Sequence, residues 1–256
     1  MMERKNIYFA SDMHLGTDVF EEPIVSEKRF VRWLDSIKDD AKALYLLGDI
    51  FDFWVDYKHV APRGFTRFLG KIAEMSDAGV DIHFFIGNHD IWMYDDYLPK
   101  ELGITIHRKP LLTEIDGKTF YLAHGDGMGD RSLSFTIIRW LFRNRFCQFL
   151  FGAIHPRWSI AFGYAWARQS RTKEKQNPIP YHGEAKEHLV VYAKEYIKNH
   201  PETDYLIFGH RHILLDLMLT KKSRMMIIGD WIQYDSYAVF NGEDLELIST
   251  RPILPV

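Results

Sequence analysis

Five short groups of Asp, Asn and His hold the chemistry open to this chain. They are Asp12-Met13-His14, Gly48-Asp49-Ile50-Phe51-Asp52, Gly87-Asn88-His89-Asp90, His124-Gly125-Asp126 and Gly209-His210-Arg211-His212. Each follows an apolar run of strand-like character. Carboxylate, amide and imidazole are the side chains that ligate hard and borderline divalent metals. One such group signifies little. Five at successive strand exits point to a metal site, because open α/β sheets bind ligands at the C-terminal ends of their strands.

The residue types suggest separate roles. Asp12 and His14, two apart, point to the same side of an extended segment and so reach one ion. Gly48 permits a tight turn, and the Asp49 carboxylate after it has two oxygens with which to bridge two metals. Asn88 offers a neutral carbonyl oxygen, and His124, His210 and His212 offer imidazole nitrogens. These seven groups suffice for two ions with positions left for water and substrate. Two metals roughly 3.5–4 Å apart clamp an in-line displacement at phosphorus, with a hydroxide between them as nucleophile. His89, beside Asn88, is expected to reach the substrate, with Asp90 or Asp52 fixing its tautomer.

The elements that must position these groups read clearly in the first half. Ile7 to Ala10, Ala43 to Leu47 and Ile82 to Ile86 are continuous apolar runs, the mark of strands buried on both faces. Between them, Phe30, Trp33, Leu34 and Ile37 at spacings of three and four predict a helix, and residues 63–78 predict another, ended at Gly79. Strand, helix, strand, helix, strand implies a largely parallel sheet. Further on, Leu111–Ile115 and Lys118–Ala123 flank the hairpin turn Asp116-Gly117. A helix is expected over 184–199. Strands follow at 205–208, 213–219, 225–228 and 237–240, with Asn241-Gly242 turning into 245–248. Two packed sheets with helices outside them fit this order.

Residues 128–180 interrupt the pattern. They hold nine Arg/Lys against Asp130 and Glu174, a local charge of +7, so the rest of a chain of net charge −3 carries −10. Ten aromatics share the stretch. On a helix over 156–175, Arg157, Arg168, Arg171 and Lys175 fall on one stripe, and Trp158, Phe162 and Trp166 on another face. Such a surface suits an anionic, partly apolar ligand or an anionic membrane. The plainer alternative is aromatics packed as core and arginines solvated. Gly127 and Gly129 read as turns opening this insert.

Asp-x-His, Gly-Asp-x-x-Asp, Gly-Asn-His-Asp, His-Gly-Asp and Gly-His-x-His, in this order over about residues 7–230, resemble the calcineurin-like metallophosphoesterases. The resemblance implies a single α/β domain over 1–256, a four-layer α/β/β/α sandwich of two mixed sheets, with 128–180 as a helical insertion or lid. It implies two divalent ions, Mn²⁺ with Fe or Zn as alternatives. Asp12, His14, Asp49 and His212 would ligate one and Asp49, Asn88, His124 and His210 the other. The insert and the phrase Leu47-Gly-Asp-Ile-Phe-Asp-Phe-Trp54 are similar to the branch acting on a nucleotide-sugar lipid, UDP-2,3-diacylglucosamine. Members of that branch release UMP and 2,3-diacylglucosamine 1-phosphate in lipid A synthesis, at the cytoplasmic face of the inner membrane. This implies substrate contacts from Asn88, His89, Asp130, Arg168, Ser170, Arg171, Lys173 and His210, and catalytic roles for His89, Asp90 and Asp52. His89 departs from that branch, whose pattern has Arg there, and matches the wider family. A broad phosphodiesterase or phosphatase for soluble phosphoesters therefore stays open.

Composition narrows the rest. Hydrophobic content of 46% and charged content of 26% are those of a globular chain. Cys147, the single cysteine, rules out an internal disulfide framework and reads as a core thiol. The run Ile7 to Ala10 is too short for a signal-peptide core, and no window approaches the roughly 20 apolar residues of a membrane span. A cytoplasmic protein is expected. No nucleic-acid motif is present and the chain is acidic, so nucleic acid is not an expected partner. Outside the five groups, His59, His83, His107, His155, His182, His188 and His200 read as surface or packing residues. A binding module on a degenerate scaffold would lack ligands, and none is missing.

Overall fold

The structure is a computed structural model that describes residues 4–94, 96–129, 137, 140–177 and 180–251. Its first sheet has the order β11-β10-β1-β2-β3-β4 and its second the order β5-β6-β7-β9-β8. In the first, β1 (Asn6–Ala10), β2 (Ala41–Leu46), β3 (Asp81–Phe85) and β4 (Thr105–His107) run parallel. They are joined to β10 (Ser236–Phe240) and β11 (Leu245–Ser249) by antiparallel pairing. The second sheet is mixed. Its members β6 (Lys118–Ala123), β7 (Tyr205–Phe208) and β9 (Arg224–Ile228) are parallel, and β5 (Leu111–Ile115) and β8 (Leu214–Met218) pair antiparallel at the edges.

Alternation along the strands builds the layers, since successive side chains point to opposite faces. Ile7 and Phe9 of β1 join Ala43, Tyr45, Phe120, Leu122, Ile207 and Met226 in the core between the sheets. Tyr8 and Ala10 face the other way, onto Phe30, Trp33 and Leu34 of α1 (Pro23–Ile37) and Phe68 and Ile72 of α2 (Thr66–Asp77). On the far side, Leu206 and Phe208 of β7 meet Leu189, Val190 and Ala193. These last three belong to the helix His188–Asn199, labelled α6 below. Each fully buried Phe contributes about 1.5–3 kcal/mol. The order is helix, sheet, sheet, helix: the four-layer sandwich expected.

The differences from the sequence reading lie where the pattern is short or mixed. The helices α3 (Tyr97–Leu102) and α4 (Arg145–Gly152) and the strand β4 were not foreseen. Three to eight residues hold too little period to read. Helix α6 starts at His188, because residues 184–186 form a turn instead of the expected first helical turn. The hairpin expected at Asn241-Gly242 is present, its loop of residues 241–244 closed by Asn241 Oδ1, which accepts from the amides of Glu243 and Asp244.

The expected insert contains α4 and the long α5 (Pro156–Gln176), with His155 capping α5 by accepting from the Arg157 amide. Specific bonds seat it on the sandwich. Trp92 Nε1 donates to the Phe142 carbonyl at 2.8 Å, and the Tyr57 hydroxyl is hydrogen-bonded to Ser159. Most of its described aromatics are not buried as ordinary core: Phe149 is 71% exposed and Trp158 67%, while Phe142 and Phe151 pack partly buried against the sandwich. The basic stripe divides too. Arg171 is only 6% exposed, whereas Arg157, Arg168 and Lys175 are exposed. Cys147, expected in the core, is half-buried on α4.

Candidate metal centre

Loops leaving β1, β2, β3, β6 and β7 converge at one edge of the sandwich. Backbone hydrogen bonds lace them together: Asp12 N to Gly48 O at 3.1 Å, His14 N to Asp49 O at 3.0 Å, and Gly209 N to His124 O at 3.0 Å. The approach is too close for side chains. A Cβ at Gly209 would lie 2.0 Å from Ser11 Oγ and 2.5 Å from Asp12 Oδ2. One at Gly48, where φ is +92°, would lie 2.6 Å from His124 Nδ1.

The segment Asp12–His14 is not extended. Asp12, His14, Asp49, His210 and His212 all have positive φ, between 45° and 68°. Left-handed backbone is unusual for residues with side chains, and at functional sites the surrounding structure imposes it. Here it folds both side chains of Asp12-x-His14, and both of His210-x-His212, toward the centre.

Three overlapping groups result: Asp12, His14 and His212; His14, Asp49 and His89; and Asp49, His124 and His210. In each, the ligand atoms lie within 4.8 Å of one another. Asn88 Oδ1 lies 3.2 Å from His124 Nε2 and so joins the third. Asp49 does not offer one oxygen to each half. Its Oδ1 accepts from the His89 amide at 2.8 Å, while Oδ2 faces both His14 Nε2 at 3.8 Å and His124 Nε2 at 3.5 Å. Asp12 divides likewise: Oδ2 accepts from the His210 amide at 2.8 Å. Its buried Oδ1 faces His212 Nε2 at 3.2 Å, outside ordinary hydrogen-bond geometry.

Partners outside the cluster fix the imidazoles. His124 Nδ1 donates to the Leu47 carbonyl at 2.8 Å, since a carbonyl can only accept, and this turns Nε2 inward. His212 Nδ1 is held at 2.9 Å by Asp230, a fully buried carboxylate after β9 that sequence reasoning missed. Nothing in Gly229-Asp230-Trp231 marked it, because its contact is 18 residues away across the fold. His89 is oriented differently from expectation. Its Nδ1 donates to the main-chain carbonyl of Asp52 at 2.8 Å, not to a carboxylate. The Asp52 side chain instead lies 3.4 Å from His14 Nδ1. Asp90 accepts from the amides of Gly87 at 2.7 Å and Ile50 at 2.8 Å, pinning two ligand loops together. Burial, with the nearby Asp49 charge, pushes the Asp90 carboxyl up to about 7.

The electrostatics show a centre poised for cations. Burial opposes ionisation of Asp12 and Asp49, yet the facing His212 and His124 hold both well below the usual carboxylate range. Burial likewise opposes charge on His124 and His212, but Asp49 and Asp12 push them up to about 10. Burial takes His89 down to about 4. Protons on His124 and His212 thus supply the positive charge that the buried carboxylates require. Two carboxylates, an amide oxygen and inward-facing imidazole nitrogens fit divalent metals.

The substrate contacts anticipated from the sequence scatter. Arg171 enters the centre from α5, with Nη1 3.3 Å from His14 Nε2 and Nη2 3.0 Å from His89 Nε2. Ser170 lines an adjoining apolar cavity, as do Asn88 and His89. Arg168 points away and pairs with Asp18 at 3.3 Å, and Lys173 is exposed. Asp130 lies outside the described residues.

Residues 5–214 match the family of calcineurin-like phosphoesterases. The chain belongs to that family. As a calcineurin-like phosphoesterase it is a hydrolase whose Asp/His cluster is suited to divalent metal. It is 46% identical to a UDP-2,3-diacylglucosamine hydrolase of Porphyromonas gingivalis, over 96% of this chain and 98% of the relative. A protein of the same name from Shewanella halifaxensis is 27% identical over 94% of this chain and 96% of its own length. Among solved structures it is similar to YfcE, a phosphoesterase from E. coli, with 14% identity and a TM-score of 0.45 over 95% of this chain and 92% of that one.

Proposed function

We infer that this phosphoesterase hydrolyses the pyrophosphate link of UDP-2,3-diacylglucosamine, adding water across P–O–P to give UMP and 2,3-diacylglucosamine 1-phosphate. The observation that carries this reading is an apolar cavity of about 230 Å³ opening onto Asn88 and His89. Trp92, Phe142, Phe151, Phe162 and Trp166 line it. A soluble phosphoester needs no such cavity beside the reacting centre, whereas acyl chains do. The name of the 46% identical relative supports the same substrate.

The ligand sets are Asp12, His14, Asp49 and His212 for one ion, and Asp49, Asn88, His124 and His210 for the other, with Mn²⁺ the proposed metal. When bound, such ions act as Lewis acids on phosphoryl oxygens and lower the pKa of water. The protein's own groups do the rest. His89, with Nδ1 committed to the Asp52 carbonyl, holds Nε2 at 3.0 Å from Arg171 Nη2 and faces the substrate beside that guanidinium. The Arg171 guanidinium is placed to hold the phosphoryl oxygens by charged, forked hydrogen bonds. Asp52 steadies His14, and Asp90 keeps the Asn88–His89 turn against the Asp49 loop.

Residues 128–180 act as a lid, and their exposed Trp158, Phe149 and Phe146, with Arg157 beside Trp158, suit peripheral binding to an anionic inner-membrane surface. Among the described residues no helix is long and apolar enough to cross a membrane. The lid and the substrate together support a place in lipid A synthesis. The test is release of UMP from UDP-2,3-diacylglucosamine by Mn²⁺-loaded protein. Turnover of a generic diester such as bis(p-nitrophenyl) phosphate, with no UMP released from the lipid, would sink this reading in favour of soluble substrates.

A further inference from the structure

A second cavity of the opposite character adjoins the centre. It has a volume of about 550 Å³, and Arg108, Arg143 and Arg145 converge on it. Tyr94 and Gln148 add to its polar lining, and no Asp or Glu is among the described residues that line it. The three arginines come from separate places. Arg108 follows β4 and donates through Nη2 to the Met93 carbonyl at 2.7 Å. Arg143 precedes α4 and pairs with Asp126 at 2.9 Å. Arg145 is the exposed first residue of α4 and forms no ion pair among the described residues. Like charges gathered around one cavity repel, and an anion between them removes that repulsion.

The cavity lies beside the chemistry. It shares Ile86, Arg108 and Arg143 with a space of about 40 Å³ that reaches His124 and Asp126. With the aromatic cavity it shares only Ile91. Two unlike cavities thus flank one metal centre, and the substrate read above has two unlike halves.

Resting on that reading, the geometry points to this cavity as the seat of the nucleotide half: a nucleoside monophosphate whose phosphate lies among Arg108, Arg143 and Arg145 and whose base packs on Tyr94. Guanidinium forks match phosphate oxygens in pairs, and an aromatic ring accepts a base by stacking. The same phosphate chemistry exists in a bilayer headgroup, and α4 exposes Phe146 and Phe149 nearby. The experiment must separate the two sources.

Binding of UMP and of uridine to the metal-loaded protein is measured by calorimetry for the wild type, Arg108→Ala and Arg145→Ala. UMP is expected to bind at least tenfold tighter than uridine, and each substitution to weaken it about tenfold. Arg145→Lys recovers part of the loss, and the exposed position spares the fold. Unchanged UMP affinity in both alanine variants overturns the proposal. So does loss of binding to phosphatidylglycerol vesicles with UMP affinity intact, which assigns the arginines to a lipid headgroup. Release of UMP from UDP-2,3-diacylglucosamine is scored on the wild type in parallel. Absence of release overturns the substrate reading and the subsite with it, whereas release with unaltered UMP affinity in the variants overturns the subsite alone.

Discussion

His212 donates its Nδ1 proton to Asp230 across 2.9 Å, so a carboxylate 18 residues away decides which nitrogen of the imidazole faces the metal centre. Asp230 is itself fixed, accepting through Oδ1 from the amides of Ile232 at 3.1 Å and Gln233 at 2.7 Å. Asp230→Asn keeps an acceptor but removes a charge that, after Asp12, helps to keep the imidazole basic. Metal affinity should fall about 10–100-fold, measured by competition with a fluorescent chelator, with far-UV circular dichroism unchanged. Equal affinity in the variant would mean that Asp230 supports only the loop.

Asp49 Oδ2 faces both halves of the centre, so its loss removes a ligand from each. Asp49→Ala should lower turnover of a generic diester by about 10²–10³-fold. Metal analysis should find fewer than two ions per chain. A variant that keeps both ions and full turnover contradicts the bridging role.

Protonation of His124 and His212 links the metal-free protein's stability to pH. Both imidazoles are raised from 6.5 to about 10 in the folded state. Folded protein therefore binds more protons than unfolded protein between these values, and stability falls as pH rises through that window. The contribution is present in full below pH 6.5 and gone above about pH 10. Scanning calorimetry of chelator-treated protein should show the decline, and the same scans with Mn²⁺ should lack it, because metal replaces those protons.

Gly48 sits at φ +92°, and a Cβ there would lie 2.6 Å from His124 Nδ1. Gly48→Ala should cost about 1–3 kcal/mol from backbone strain and displace His124 from the Leu47 carbonyl. Urea unfolding measures the first effect and metal titration the second. A stable variant with native metal affinity would show that the loop has room.

Arg171 touches three imidazoles of the centre from α5. Arg171→Ala should lower kcat/KM by about 10²-fold, and Arg171→Lys should restore only part, because the fork geometry is lost. Full activity in the alanine variant would remove Arg171 from the substrate's path.

The strands that present the centre were legible because they are long, apolar and closed by Gly or Asp. Ile7 to Ala10 and Tyr205 to Phe208 coincide with β1 and β7 almost residue for residue. The insert was legible as a helix, but not its orientation. A helical wheel places Arg171 with Arg157 and Arg168, whereas of these three the fold buries Arg171 alone, because its turn of α5, with Glu174, faces the cluster.

Residue type and short spacing are local properties, so the Asp/His chemistry, the layered α/β architecture and the basic aromatic insert could be read from the chain alone. The aim of each Asp and His side chain depends on the packed fold. The left-handed turns at Asp12 and His14 were beyond sequence spacing. So were the division of labour between the two Asp49 oxygens and the tautomers set by Leu47 and Asp230. The bond from the His210 amide to Asp12 spans 198 residues. No local pattern records such a contact, because it exists only once two sheets have packed and brought their strand ends together.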